Sequence, residues 1–93
     1  MISYKVKYHK KATKFIKENK LIGLKFVKAF CDISNDINNV TRYDIKKLHN
    51  PTYNDIFRLR IGKYRAIFRI INKEILIYVF DIDSLGQIYK TIE

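Results

Sequence analysis

Three arginines lie in the stretch Arg58-Leu59-Arg60-Ile61-Gly62-Lys63-Tyr64-Arg65, two of them spaced two residues apart and the third just beyond a glycine turn. Side chains alternate faces along a strand, so Arg58 and Arg60 share one face while Phe57, Leu59 and Ile61 take the other. Gly62 and Lys63 return the chain, and the next strand brings Arg65 toward the first two arginines. Guanidinium groups are planar forks that match phosphate oxygens, so three of them close together suit a polyphosphate ligand. They do not readily release protons, which makes their chemistry electrostatic: they hold charge that builds on a phosphate. The usual side-chain proton carriers near neutral pH are histidines. The chain has only His9 and His49, both outside this stretch, and both read as structural or surface residues.

The elements that must position these arginines follow from periodicity. Ile2 to Tyr8 alternates apolar and basic residues and reads as a half-buried strand, with Lys5 and Lys7 as solubilising charges on its outer face. From His9 to Asn19 the period lengthens, and Ala12, Phe15 and Ile16 form one helical stripe. Gly23 falls near the end of that helix. A second stripe, Phe26, Phe30, Ile33 and Ile37, runs to about Asn38 and completes an αα-hairpin. Asn38 to Thr52 is rich in turn formers and reads as an irregular connection carrying Lys46 and Lys47, with Leu48 as its anchor. Three strands follow, Asp55 to Ile61, Tyr64 to Ile71 and Glu74 to Ile82, with Asn72-Lys73 as a tight turn. The last is apolar on both faces and belongs inside a sheet. Tyr64 and Phe68 read as packing residues. The expected class is α+β: an N-terminal strand, an αα-hairpin, then an antiparallel sheet of three further strands packed on the helices.

Ninety-three residues without linkers or repeats give a single domain, residues 1–93, and a hydrophobic fraction of 47% supports a folded core. Lys+Arg 19 against Asp+Glu 9 leaves a net charge of +10, which points to nucleic acid, an anionic membrane or an acidic protein as partner. Nucleic acid fits best, because no apolar run approaches the ~20 residues that span a bilayer. The single cysteine, Cys31, forms no internal disulfide, which fits a cytoplasmic location. With no second cysteine nearby, neither a metal nor a cofactor is expected.

The order of elements, together with Lys46-Lys47-Leu48, the Arg58 to Arg65 stretch and the tail Asp83-Ser84-Leu85-Gly86-Gln87-Ile88-Tyr89-Lys90, resembles the RelE/ParE superfamily of type II toxin–antitoxin toxins across nearly the whole chain. For the RelE branch the resemblance implies an endoribonuclease that cuts messenger RNA in the ribosomal 30S A site, inhibits translation and arrests growth. It also implies a cognate antitoxin protein that wraps the toxin and blocks its basic face. Arg58 and Arg60 stand where such sequences place paired basic residues, Arg65 matches the arginine after the motif tyrosine, and Tyr89 matches the C-terminal tyrosine. These four are the implied catalytic residues. Lys46, Lys47, Lys63 and Lys90 are the implied RNA-binding residues. A phenolate at Tyr89 is favoured among cations, so proton transfer or base stacking are both chemically sensible there. One departure stands out. Many relatives with this tail carry arginine four residues before the tyrosine, where this chain has Leu85. A weakened toxin and a branch in which the three arginines suffice are both compatible with that change. A ParE-like gyrase inhibitor and a non-catalytic basic RNA-binding module are the alternative functions.

Overall fold

The computed structural model describes residues 2–84. Strand β1 (Lys5–Tyr8) leads through His9, whose Nδ1 accepts the Lys11 N–H at 3.1 Å, into helix α1 (Lys10–Glu18). Histidine thus serves as the N-cap that frees the backbone to turn. Asn19 closes α1, its backbone and side-chain amides both donating to the Phe15 carbonyl, and helix α2 (Lys20–Asn35) starts at the next residue. Gly23 is therefore an early residue of α2 rather than the end of α1. It is buried where the helices cross, and a Cβ there would come within 2.8 Å of the Ile16 Cα. A 3₁₀ turn (Ile37–Arg42) leads to β2 (Asp44–Lys47), then β3 (Ile56–Ile61), β4 (Tyr64–Ile71) and β5 (Leu76–Ser84).

The described strands form a five-stranded sheet in the order β1-β5-β4-β3-β2. This corrects the sequence reading at one segment. The Lys46-Lys47 segment is not an irregular connection but an edge strand, antiparallel to β3, with Asp44 opposite Arg60 and Lys46 opposite Arg58. Its signal was faint because Ile45 is the only apolar residue among its four; pairing with β3, not local propensity, makes it a strand. The three later strands are antiparallel to one another as expected, and β1 joins them parallel to β5, which makes the sheet mixed. Between β1 and β5 the chain passes through both helices and three strands, crossing to the far edge of the sheet at β2 and returning strand by strand, which is ample length for a parallel pair. β1 begins at Lys5 rather than Ile2. The turn after β4 is longer than Asn72-Lys73 and passes through Ile75 at φ 50°.

The helices cover one face of the sheet. Ala12, Phe26, Ala29, Phe30 and Ile33 pack there on Leu59, Ala66, Phe68, Ile77, Val79 and Ile82. The Phe30 ring meets Phe68 edge-on at 5.0 Å and Tyr8 at 6.2 Å. As expected of a two-sided apolar strand, β5 lies between β1 and β4. On the opposite face a smaller cluster forms around Ile56 and Ile67, with Leu48 and Phe80 against it. Leu48 thus anchors its segment to this outer cluster rather than to the main core.

Phe30→Ala should cost about 3–5 kcal/mol, read by urea unfolding, because a fully buried ring contacting two layers leaves a cavity. Burial, with Cys31 adding, pushes the Tyr8 hydroxyl up to about 12 from 10.0. Folding therefore favours the protonated phenol. That contribution should be intact below pH ~10 and be lost as pH rises from about 10 to 12, which thermal melts across the alkaline range would reveal.

Candidate nucleic-acid interface

The face of the sheet turned away from the helices is built by the two-residue repeat of β3 and β4. Gly62 sits at φ +61° at the first position of a two-residue turn, a conformation glycine adopts without cost, so Ile61 pairs directly with Tyr64. The register then places Arg60 opposite Arg65 and Arg58 opposite Ile67. Phe57 and Leu59 point the other way, into the helix-covered core. The three arginines of the hairpin therefore share one face, with Lys46 beside Arg58 on β2. Lys47 pairs with Phe57 and so lies on the opposite face. Lys63 is exposed at the turn, its Nζ 5.5 Å from the Tyr64 ring centroid. Tyr89, Lys90 and Leu85 lie outside the described residues.

The surroundings of the arginines differ. Arg58 is buried at 7% exposure, and its Nη1 donates both to the Asp44 carbonyl at 3.2 Å and to Asp44 Oδ1 at 3.3 Å. Arg60 is exposed and its Nε lies 3.0 Å from Asp44 Oδ2. Arg65 is half-buried, sits across from Asp83 of β5, and its Nε is the one buried side-chain polar atom among the described residues without a hydrogen-bond partner. Arg60 and Arg65 thus form the part of the cluster best able to reach a ligand, while Arg58 is buried and held by Asp44.

Sequence reasoning overlooked the carboxylates and a fourth arginine. Arg69, further along β4, donates in a fork to both oxygens of Asp55 at 2.8 and 3.0 Å, and its guanidinium lies 4.1 Å from the Tyr53 ring centroid. The hydrogen bond to Asp55 holds the Arg69 pKa above its ordinary value, against the pull of burial. Asp44, Asp81 and Asp83 also fall on the arginine face by register. A one-residue slip of pairing between Ile67 and Phe68 leaves Phe80 unpaired and turns both Phe80 and Asp81 outward. The period-2 rule applied to the Arg69 position could have found that arginine; the bulge could not be foreseen from pattern alone.

The outer surface of the helices is, by contrast, cationic with little compensation. Lys10, Lys14 and Lys17 of α1 are exposed, with Glu18 as the acid of that helix. Asp32 of α2 is occupied locally, accepting from Asn39, Arg42 and Tyr43. The arginine face is therefore strong in local donors but partly neutralised, and much of the net charge of +10 lies elsewhere. Among the described residues no cluster of His, Cys, Asp or Glu is arranged to hold a metal ion, and no helix is long and apolar enough to cross a membrane.

No protein-family model matches the chain, and no curated protein matches its sequence. Solved structures do match its fold. A chain of the archaeal RelE–RelB complex from Pyrococcus horikoshii superposes with a TM-score of 0.75 at 24% identity, covering 92% of this chain and 99% of that one. A mutant of the E. coli toxin RelE in the free state gives 0.75 at 12% identity, over 98% and 95% of the two chains. A chain of the RelB–RelE antitoxin–toxin complex from Methanococcus jannaschii gives 0.70 at 21% identity, over 89% and 94%. The chain has the RelE fold.

The Arg69–Asp55 fork is partly buried at both ends, so its loss should be felt. Asp55→Asn should lower stability by about 1.5–3 kcal/mol in urea unfolding, the range for hydrogen bonds to charged groups.

Proposed function

We propose that this chain is the toxin of a type II toxin–antitoxin pair and acts as an endoribonuclease on messenger RNA in the ribosomal A site. The observation that carries the reading is the direct cross-strand pairing of Arg60 with Arg65 on the face of a RelE-fold sheet turned away from the helices. Two arginines paired across the strands, with buried Arg58 two residues from Arg60 on the same face, would offer an electrostatic cradle to a phosphate that becomes more negative in its transition state. In the reaction the 2′-hydroxyl oxygen attacks the adjacent phosphorus, the bond to the 5′-oxygen breaks, and the products are a cyclic phosphate and a 5′-hydroxyl. No metal or cofactor takes part in this scheme. The hydroxyl proton passes to a base, for which Tyr89 is the candidate, and a proton returns to the leaving oxygen. Lys46 shares the arginine face and serves as a backbone clamp, as do Lys63 and Lys90; Lys47 contributes from the sheet edge. The partner is a cognate antitoxin, and the solved complexes of RelE with RelB support that choice. Such a protein works in the cytoplasm, where ribosomes are.

Asp83 favours a second reading. It faces Arg65 across the strands, and with Leu85 two residues later the tail is poor in cations where RNA cleavage needs them. That composition fits a basic RNA-binding module that holds RNA without cutting it. A gyrase inhibitor on the same fold is the remaining outcome of the tests.

Primer extension on a defined messenger RNA, with and without programmed ribosomes, separates these readings. Cleavage should appear only with ribosomes, and Arg65→Ala and Tyr89→Phe should each reduce it by roughly 10²–10³ with little change in the thermal melt. Wild-type rates in both variants would remove this site. Leu85→Arg, run in parallel, should raise cleavage by restoring a cation; unchanged or lower cleavage would show that the missing arginine does not limit the rate.

A further inference from the structure

Asp44 touches two cations of the arginine face at once: its Oδ1 lies 3.3 Å from Arg58 Nη1 and its Oδ2 lies 3.0 Å from Arg60 Nε. One half of this arrangement has a plain structural cause. The Arg58 side chain is only 9% exposed, and a guanidinium at that depth needs a counter-charge. The other half has no such cause. The Arg60 side chain is 50% exposed, and water would solvate it equally well. The Oδ2 position on Arg60 is one that a non-bridging oxygen of a phosphodiester would fill as well.

We infer that Asp44 is a resident substitute for an RNA phosphate: its Oδ2 occupies Arg60 until a phosphate displaces it, and this competition holds down affinity for free single-stranded RNA. The inference rests on the arginine face being the RNA site and names the residue that controls access to it. The exchange is feasible because the two oxygens have separate duties. When Oδ2 leaves Arg60, Oδ1 and the Asp44 carbonyl remain on Arg58, so the buried guanidinium keeps its partners. The incoming phosphate gains Arg60, and Arg65 lies opposite it on β4. Exposed ion pairs are weak, so a phosphate held by further contacts wins, whereas a loosely placed one does not. Asp44 therefore favours RNA that is presented in place over RNA met by chance. Because Asp44 is fixed on β2 directly opposite Arg60, its carboxylate stays within reach of the pair.

The test is binding of a fluorescein-labelled oligouridylate, followed by anisotropy over a series of salt concentrations. Asp44→Asn keeps the side-chain volume and an acceptor for Arg58 while removing the competing charge. It should tighten binding roughly three- to tenfold and steepen the salt dependence by about 0.7 in log–log slope, the increment for one more phosphate contact on a single strand. Adding Arg60→Gln should abolish the gain. Affinity that is unchanged or weaker in a folded Asp44→Asn variant overturns the inference. A measurement on the native chain guards against a variant that fails to fold: pyrophosphate is titrated while the arginine Nε and aspartate carboxyl resonances are observed. Arg60 Nε and the Asp44 carboxyl should move together; no movement at Arg60 overturns the inference. Neither experiment uses ribosomes or cleavage. A gain in affinity without any cleavage would leave this inference standing and remove the nuclease reading, and cleavage with no gain would do the reverse.

Discussion

The antiparallel pairing of β3 with β4 through the Gly62–Lys63 turn is the constraint on which the rest of the molecule depends. It fixes which residues face the helices and which face outward. With Ile61 opposite Tyr64, Leu59 and Phe68 enter the core beneath Phe30, while Arg58, Arg60 and Arg65 emerge on the other side. A slip of one residue would reverse both sets, driving guanidiniums into the helix-covered layer and apolar side chains into water. The burial that stabilises the fold and the charge that equips it are two consequences of one register.

A sheet face crowded with arginines is itself unfavourable, and the structure offsets this with carboxylates from neighbouring segments. Asp44 on β2 neutralises buried Arg58 and reaches Arg60; Asp55, in the loop before β3, grips Arg69. The edge strand β2 owes its place partly to this pairing, because its single inward apolar residue, Ile45, gives it little other reason to dock. The result is a local concentration of donors without a large local excess of charge. The long-range field arises instead from exposed lysines such as those of α1, where Glu18, beside Lys14, is the one acid against four lysines of the helix and its N-terminal flank is basic as well.

Under the proposed function, that division bears on how the protein would distinguish one RNA from another. Attraction at a distance is unspecific and salt-dependent, whereas occupation of the arginine pair requires a phosphate at the right depth beside Arg60 and Arg65. Asp83 opposite Arg65 tightens the requirement further, since a ligand phosphate approaching Arg65 also approaches a carboxylate on the adjacent strand.

The sequence was most informative where periodicity was strong. The two helical stripes, the β3–β4 hairpin with its glycine turn, the interior position of β5 and the shared face of the three arginines were all legible, because period 2 and period 3.6 decide by themselves which side chains must be hidden. It was silent where a contact between distant segments made the decision. Nothing local marks Asp44-Ile45-Lys46-Lys47 as a strand, and nothing in β1 says that it runs parallel to β5; both follow from hydrogen bonds that form only once the core has assembled. The opposite faces of Lys46 and Lys47, the outward turn of Asp81 at the bulge, and the capture of Arg58 and Arg60 by one carboxylate are likewise products of packing. By itself the sequence determined which residue types share a face, since alternation is a property of the extended chain. Only the tertiary structure decided which of those charges are paired and which are open to a ligand, since pairing depends on how near one strand's side chains come to another's.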